Sequence, residues 1–163
     1  GIARTFQIPQ LFLTLPVFEN VRAGAHFGTP GMDRSERENI KEIIDFIGLK
    51  GKENVVAANL KLLDKKLTMI ATALATKPKL LLLDEPIAGL NPTEIRQSIE
   101  RFKRINQELG LTVIIIEHFM KVLAELSYRL MILENGRQIC IGAPDEVSRD
   151  KKVIECYLGE GHA

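Results

Sequence analysis

The fold turns on one stretch: Lys79-Leu80-Leu81-Leu82-Leu83-Asp84-Glu85-Pro86. Four consecutive leucines bounded by a Lys and an acidic pair make a short, continuously apolar segment, the pattern of a strand buried on both faces. Working outward toward the C-terminus, Asn91-Pro92-Thr93-Glu94 opens a helix, with Asn as cap, Pro in the first turn and Glu at the positive end. Ile95, Ile99, Phe102, Ile105 and Leu109 form its inner face, and Gly110 closes it. Thr112 to Ile116 is a second buried strand. A helix from Phe119 to about Ser127 and a third strand, Arg129 to Leu133, complete a β-α-β-α-β series, which implies a parallel sheet. Asn135-Gly136 is a two-residue hairpin signal leading to Gln138–Ile141. Helices over 144–148 and 151–158 finish the chain.

Toward the N-terminus the pattern turns helical. Lys65 to Leu74 carries Leu67, Ile70, Ala71 and Leu74 at helical spacing, giving a helix over 64–76 that Pro78 ends. Before it, Ser35-x-x-Glu38 reads as a capping box, and Ile40, Ile43, Ile44 and Ile47 make one apolar face closed by Gly48. Residues 8–30 mix Pro, Gly and Phe and read as loop, with a short helix after Val17. Gly1 to Gln7 has no cap and no initiator Met; it reads as the interior of something, and no strand is assigned to it. The chain divides at residue 78 into a helical part, 1–78, and an α/β part, 79–163.

Composition narrows the classes. Twenty-two basic against 21 acidic residues give a net charge of +1, which argues against a nucleic-acid binder working through bulk charge. With 45% apolar and 26% charged residues the 163-residue chain has enough apolar surface for a core and is not disordered. The longest aliphatic runs, Leu80–Leu83 and Val113–Ile116, are far too short to span a bilayer. Cys140 and Cys156 lack metal or redox spacing and suit a reducing compartment.

In parallel sheets ligands sit beyond the carboxyl ends of the strands. That rule singles out Asp84-Glu85 and Glu117-His118. For the acidic pair two readings stand: a hard-cation and water-polarising site, or carboxylates that end a strand and face solvent. Leu80–Leu83 before them and Pro86 after them favour phosphoryl chemistry. His118 is equally open between function and ordinary surface; His26 and His162 have no ligand spacing. No H-E-x-x-H, G-x-S-x-G or zinc cysteine pattern occurs. A G-x-x-x-x-G-K-S/T phosphate loop is also absent: Gly51-Lys52 is followed by Glu53, has Phe46 in place of the first Gly, and follows a helix.

Leu80 to Pro86 resembles the Walker B strand and catalytic Glu of ATP-binding-cassette ATPases. In the same order along the chain, Gln7 in Arg4-Thr5-Phe6-Gln7 resembles the Q-loop glutamine, and Ala88-Gly89-Leu90-Asn91 the D-loop of amino-acid importers. Ile116-Glu117-His118 resembles the switch-histidine segment. Asn135-Gly136, Gly142 to Val147 and Val153 to Gly159 are similar to the branched-chain amino-acid importer subfamily. The resemblance implies an α/β fold of the P-loop NTPase (RecA-like) type with a helical subdomain, here without its first strands and phosphate loop.

The resemblance further implies ATP and Mg²⁺ as cofactors. Asp84 and Gln7 would act on the metal, Glu85 would be the general base, and His118 would hold the γ-phosphate and the water in line. Leu60-Lys61-Leu62-Leu63-Asp64 takes the place of the signature loop, lacking its usual Ser and Gly; it is open between a phosphate contact made in trans and a simple cap and loop. Asn91, in the D-loop, is a further nucleotide candidate. Implied partners are membrane permease subunits docking near the helices between Phe12 and Thr76, a second cassette (the same chain or another), and indirectly a substrate-binding protein, with no nucleic acid. The implied location is cytoplasmic, on the inner face of the cell membrane. Two alternatives accompany this: a cassette for another cargo such as urea or lipopolysaccharide, and a non-catalytic remnant that only binds permease or partner cassette. Persistence of Gln7, Glu85 and His118 favours a truncated form of an active enzyme, itself inactive for want of the phosphate loop.

Overall fold

The computed structural model describes residues 1–28 and 34–158. Two compact units emerge, Gly1–Ile116 and Glu117–Ala163. The division at residue 78 expected from the sequence falls inside the first of these units.

The first unit is organised by a three-stranded parallel sheet in the order β1 (Ile2–Arg4), β2 (Leu80–Asp84), β3 (Thr112–Ile116). Ile2 stands opposite Leu80, and Leu81 opposite Val113. The central strand is the leucine run. Leu81 and Leu83 are fully buried, worth about 2 kcal/mol each by apolar burial, while Leu80 and Leu82 are half-buried. β1 corrects the reading of the first residues: a short strand, Ile2–Arg4, does precede Gln7. Three residues are too few to show a period, and pairing with β2 is what makes them a strand. The pairing continues past β1, with Thr5 N–H donating to Leu82 O at 2.9 Å.

Among the described residues, four α-helices and one 3-10 turn, Ala57–Asn59, complete this unit. α1 (Val17–Gly28) has twelve residues, longer than the expected short helix within a loop. Its entry is fixed by buried Asn20. That side chain accepts from Phe12 N–H and donates to the carbonyls of Phe12, Leu15 and Pro16, so a Pro-rich approach has its polar groups satisfied. α2 (Arg34–Phe46) buries Ile40 and Ile44, with Ile47 buried just beyond, and Gly48 follows at φ +91° as expected. The side chain of Ser35, expected to cap α2, lies outside the described residues, as does His162. α3 (Leu62–Ala75) starts two residues earlier than expected and buries Leu67, Ile70, Ala71 and Leu74. α4 (Pro92–Leu109) has the full Asn91–Glu94 capping box and a left-handed Gly110. Arg101 Nε donates to Ile47 O at 2.9 Å, placing a cation on the C-terminal carbonyls of α2, where the helix dipole favours it. Leu109, assigned to the inner face, is 45% exposed; the stripe ends at Ile105.

α1 and α3 pack closely because α1 carries Gly24 at the contact. A Cβ there would collide with the main-chain oxygen of Thr72. Backbone cannot yield as a side-chain tip does, so Gly24→Ala is expected to destabilise the chain by about 3 kcal/mol. A urea midpoint unchanged from the parent would contradict this packing.

β3 departs from expectation: Ile114 and Ile116 are half or more exposed, so this strand is not buried on both faces. Its apolar run is continuous, but only Val113 and Ile115 are partly covered, and the residues that alternate with them are exposed. The third parallel strand is also corrected. In the second unit, β4 (Leu130–Glu134) pairs antiparallel with β5 (Arg137–Gly142), and among the described strands with no other. Asn135 and Gly136, at φ +49° and +77°, form the expected turn, whose twist suits a two-residue hairpin. α6 (Pro144–Val147) and α7 (Lys151–Leu158) pack on β5, and α5 (Met120–Leu126) packs on α6. No helix among the described residues is long and apolar enough to cross a membrane.

Candidate functional site

β2 delivers Asp84 and Glu85 to its carboxyl end, and β1 delivers Gln7 beside them because the two strands run parallel. Gln7 Nε2 donates to Glu85 Oε2 at 2.6 Å, so the structure brings together two residues 78 positions apart. Asp84 Oδ2 accepts from Arg4 Nη2 at 2.8 Å, and the Arg4 guanidinium also lies over the Phe6 ring. Glu85 itself sits at φ +42°, unusual for a side chain with a Cβ. The conformation is held from both sides: its N–H donates to Ile116 O at 2.9 Å, and its carbonyl accepts from Ala88 N–H at 3.2 Å. Strain of this kind persists only where surrounding bonds over-determine it, and it turns the carboxylate toward Gln7 instead of along the strand.

A third group completes this arrangement. Lys66 of α3 is buried at 2% exposure, and its Nζ donates to Gln7 O at 3.2 Å and Glu85 O at 3.0 Å. Sequence reasoning missed both Lys66 and Arg4. A signal for Lys66 existed: it lies four residues before Ile70 and seven before Ala73, on the face that α3 buries. A Lys in that register is placed for a partner inside the protein.

The segment Leu60–Asp64 forms the entrance to α3. Leu60 is buried, and Lys61 is exposed at the cap position, making no side-chain cap bond. Leu62 lies against Gly89, where a Cβ would come within 2.9 Å of its Cδ2; Gly89 also needs φ +78°. Leu63 is half-buried, and Asp64 pairs with Lys52 at 2.7 Å. The added negative charge of Asp64 is therefore answered locally. Asn91 Oδ1 is used by the cap of α4, accepting from Thr93 N–H and Glu94 N–H at 3.0 Å each. His118 belongs to the second unit. Its imidazole is 63% exposed, with Nδ1 3.9 Å from Glu117 Oε2 and its ring 4.4 Å from that of Phe119.

Asp84 and the Gln7 amide supply hard oxygen donors, the type Mg²⁺ takes, and Arg4 already places a positive charge on the Asp84 carboxylate. No cluster of three or more metal-binding side chains occurs among the described residues. One carboxylate supplemented by phosphate and water oxygens is an ordinary complement for Mg²⁺, so the donor set fits in kind.

Comparison with known proteins identifies the family. The family model described as "ABC transporter" matches residues 1–88, and that described as "Branched-chain amino acid ATP-binding cassette transporter" matches residues 137–163. The high-affinity branched-chain amino acid transport ATP-binding protein LivG of Salmonella typhimurium is 33% identical over 98% of this chain and 68% of its own length. The corresponding BraF protein of Pseudomonas aeruginosa is 32% identical over the same shares. Among solved structures, an ATP-binding cassette of an ABC transporter in its ADP conformation superposes with a TM-score of 0.84 at 30% identity, over 98% of this chain and 69% of that one. A nucleotide-free cassette gives 0.80 at 28% identity. A parallel sheet ending in an acidic pair, a glutamine held on the second carboxylate, and relatives a third identical along nearly the whole chain lead to one assignment: this chain belongs to the ABC transporter family of ATP-binding cassettes.

Proposed function

We propose that this chain is the part of an importer ATPase that couples ATP hydrolysis to transport, with branched-chain amino acids as cargo. The observation that carries the reading is the 2.6 Å bond from Gln7 Nε2 to Glu85 Oε2, which ties a glutamine loop directly to a candidate base. The named function of the relatives supports the cargo.

Each residue has a stated job. Glu85 accepts a proton from the attacking water on its carboxylate, and Gln7 orients that carboxylate. His118 holds the γ-phosphate and the water in line, as a donor aimed at developing charge. Asp84 and the Gln7 amide oxygen would hold Mg²⁺, which when bound neutralises charge on the phosphate oxygens. Arg4 must then release Asp84. Lys61, with the first N–H groups of α3 and Leu60, Leu62, Leu63 and Asp64 around them, contacts nucleotide on a partner cassette, and Asn91 approaches it from the D-loop. Residues 1–78 face the permease, and 79–163 carry the chemistry. The protein works in the cytoplasm on the inner membrane face, paired with a second cassette and served indirectly by a substrate-binding protein.

ATP-driven leucine uptake tests this reading, measured in vesicles holding the permease and a cassette that carries both this chain and a phosphate loop. Uptake of urea or another cargo instead would replace the substrate assignment. Failure of any ATP turnover would leave a partner-binding role. The 163-residue chain by itself, which contains no G-x-x-x-x-G-K-S/T sequence, is expected to show no Mg-dependent ATP turnover. Donors for the β- and γ-phosphates are the missing part. Measurable phosphate release by the purified chain would overturn that expectation.

A further inference from the structure

Lys66 is a charge in an expensive place. It is 2% exposed, and it is the fifth residue of α3, near the positive end of the helix. Burial and helix dipole both disfavour an ammonium there. Two main-chain oxygens from separate segments help to offset them: Gln7 O at 3.2 Å, from the loop after β1, and Glu85 O at 3.0 Å, from the turn after β2. A charged donor makes each of these bonds stronger than a neutral amide would. The two accepting residues are the same two whose side chains meet at 2.6 Å. Gln7 and Glu85 are thus joined twice, once through their side chains and once through the Lys66 ammonium behind their backbones. The Glu85 carbonyl that Lys66 holds belongs to the residue at φ +42°, so the cation is bonded directly to the unusual backbone.

We propose that Lys66 is a positioning residue whose buried ammonium fixes the main-chain oxygens of Gln7 and Glu85 together on α3, so that the Leu60–Asp64 segment at the head of α3, the glutamine loop and the base carboxylate move as one unit. The proposal rests on the reading of Gln7 and Glu85 given above for its consequence in catalysis, but the clamp can be measured without it. Any event at the head of α3 then reaches the Glu85 carboxylate through one side chain and one helical turn, with no change needed in the sheet.

The test begins with amide hydrogen exchange on the chain itself. The amides of Glu85 and Ala88 are hydrogen-bonded at the clamp, the first to Ile116 O and the second to the Glu85 carbonyl that Lys66 also holds, and those of residues 70–74 report α3. In Lys66→Met, which keeps the length and apolar stem, exchange at the two clamp amides is expected to rise at least tenfold while residues 70–74 keep their protection. Unchanged clamp amides, or equal loss at both places, would overturn the proposal. Should Lys66→Met not fold, Lys66→Arg decides: two or more donors remain, so slow exchange at the clamp is expected, and fast exchange there overturns the idea. In a cassette that also carries a phosphate loop, Lys66→Met is expected to lower kcat tenfold or more with KM for ATP within twofold, and Lys66→Arg to stay within threefold of the parent. If Glu85→Gln leaves hydrolysis intact, the reading of the base fails while the exchange result still judges the clamp. If Glu85→Gln is inactive and Lys66→Met has parental kcat, the positioning role fails alone.

Discussion

Glu85→Gln, in a cassette that carries a phosphate loop along with this chain, is expected to lower ATP turnover by at least about a hundredfold while leaving ATP binding in place. The substitution changes proton chemistry and little else. A carboxylate on Glu85 can accept a proton from water; an amide cannot at any pH that leaves the protein folded. Size and shape are conserved, and the new amide oxygen can still accept from Gln7 Nε2 where Glu85 Oε2 now does at 2.6 Å. The main-chain bonds that hold this residue, to Ile116 O and from Ala88 N–H, do not involve the side chain. Stability should therefore stay near that of the parent, which separates loss of base from loss of fold. If ATP closes the proposed pair of cassettes and hydrolysis reopens it, the variant should accumulate as an ATP-bound dimer, visible by light scattering as a doubled mass that ATP induces and ADP does not. Parental hydrolysis by Glu85→Gln would remove this residue from the role of base.

How much of this could be read beforehand depends on what each feature is made of. The central strand was legible because burial in the middle of a parallel sheet selects an uninterrupted apolar run, and Leu80–Leu83 is one. The α4 boundaries were legible for the same kind of reason: Asn91, Pro92, Glu94 and Gly110 act locally, through cap bonds and a left-handed residue, without help from the rest of the fold. β1 was not, since Ile2–Arg4 is a strand only because β2 lies beside it. The length of α1 escaped because Pro9 and Pro16 suggest loop, whereas Asn20 absorbs the polar groups of that approach through four bonds. The apolar pattern of β4 serves a parallel sheet and a hairpin equally well, and pairing with β5 decides between them. At the site, Asp84, Glu85 and Gln7 were each readable as motif residues, but their tie through Lys66 was not. A contact between residues 59 and 19 positions apart leaves no local trace beyond a Lys on the wrong face of a helix.

His118→Ala tests the remaining proposed catalytic residue in a way that packing does not confuse. The imidazole is 63% exposed, and its contacts are a ring neighbour, Phe119, and a Glu117 oxygen at 3.9 Å, beyond hydrogen-bond distance. Truncating an exposed side chain with so few contacts is expected to cost less than about 0.5 kcal/mol of stability. If His118 is the donor that holds the γ-phosphate and the attacking water in line, its loss removes an interaction made mostly in the transition state. In a cassette that carries a phosphate loop, kcat should then fall by about two powers of ten with little change in KM, the signature of that kind of loss. A side chain kept only for structure would instead lower the melting temperature and leave kcat per folded molecule unchanged. The exposure argues for the former in one respect: an imidazole with no core to fill is free to meet a ligand. Parental kcat in folded His118→Ala would return the residue to an ordinary surface position, and the catalytic claim would then rest on Glu85 and its clamp alone.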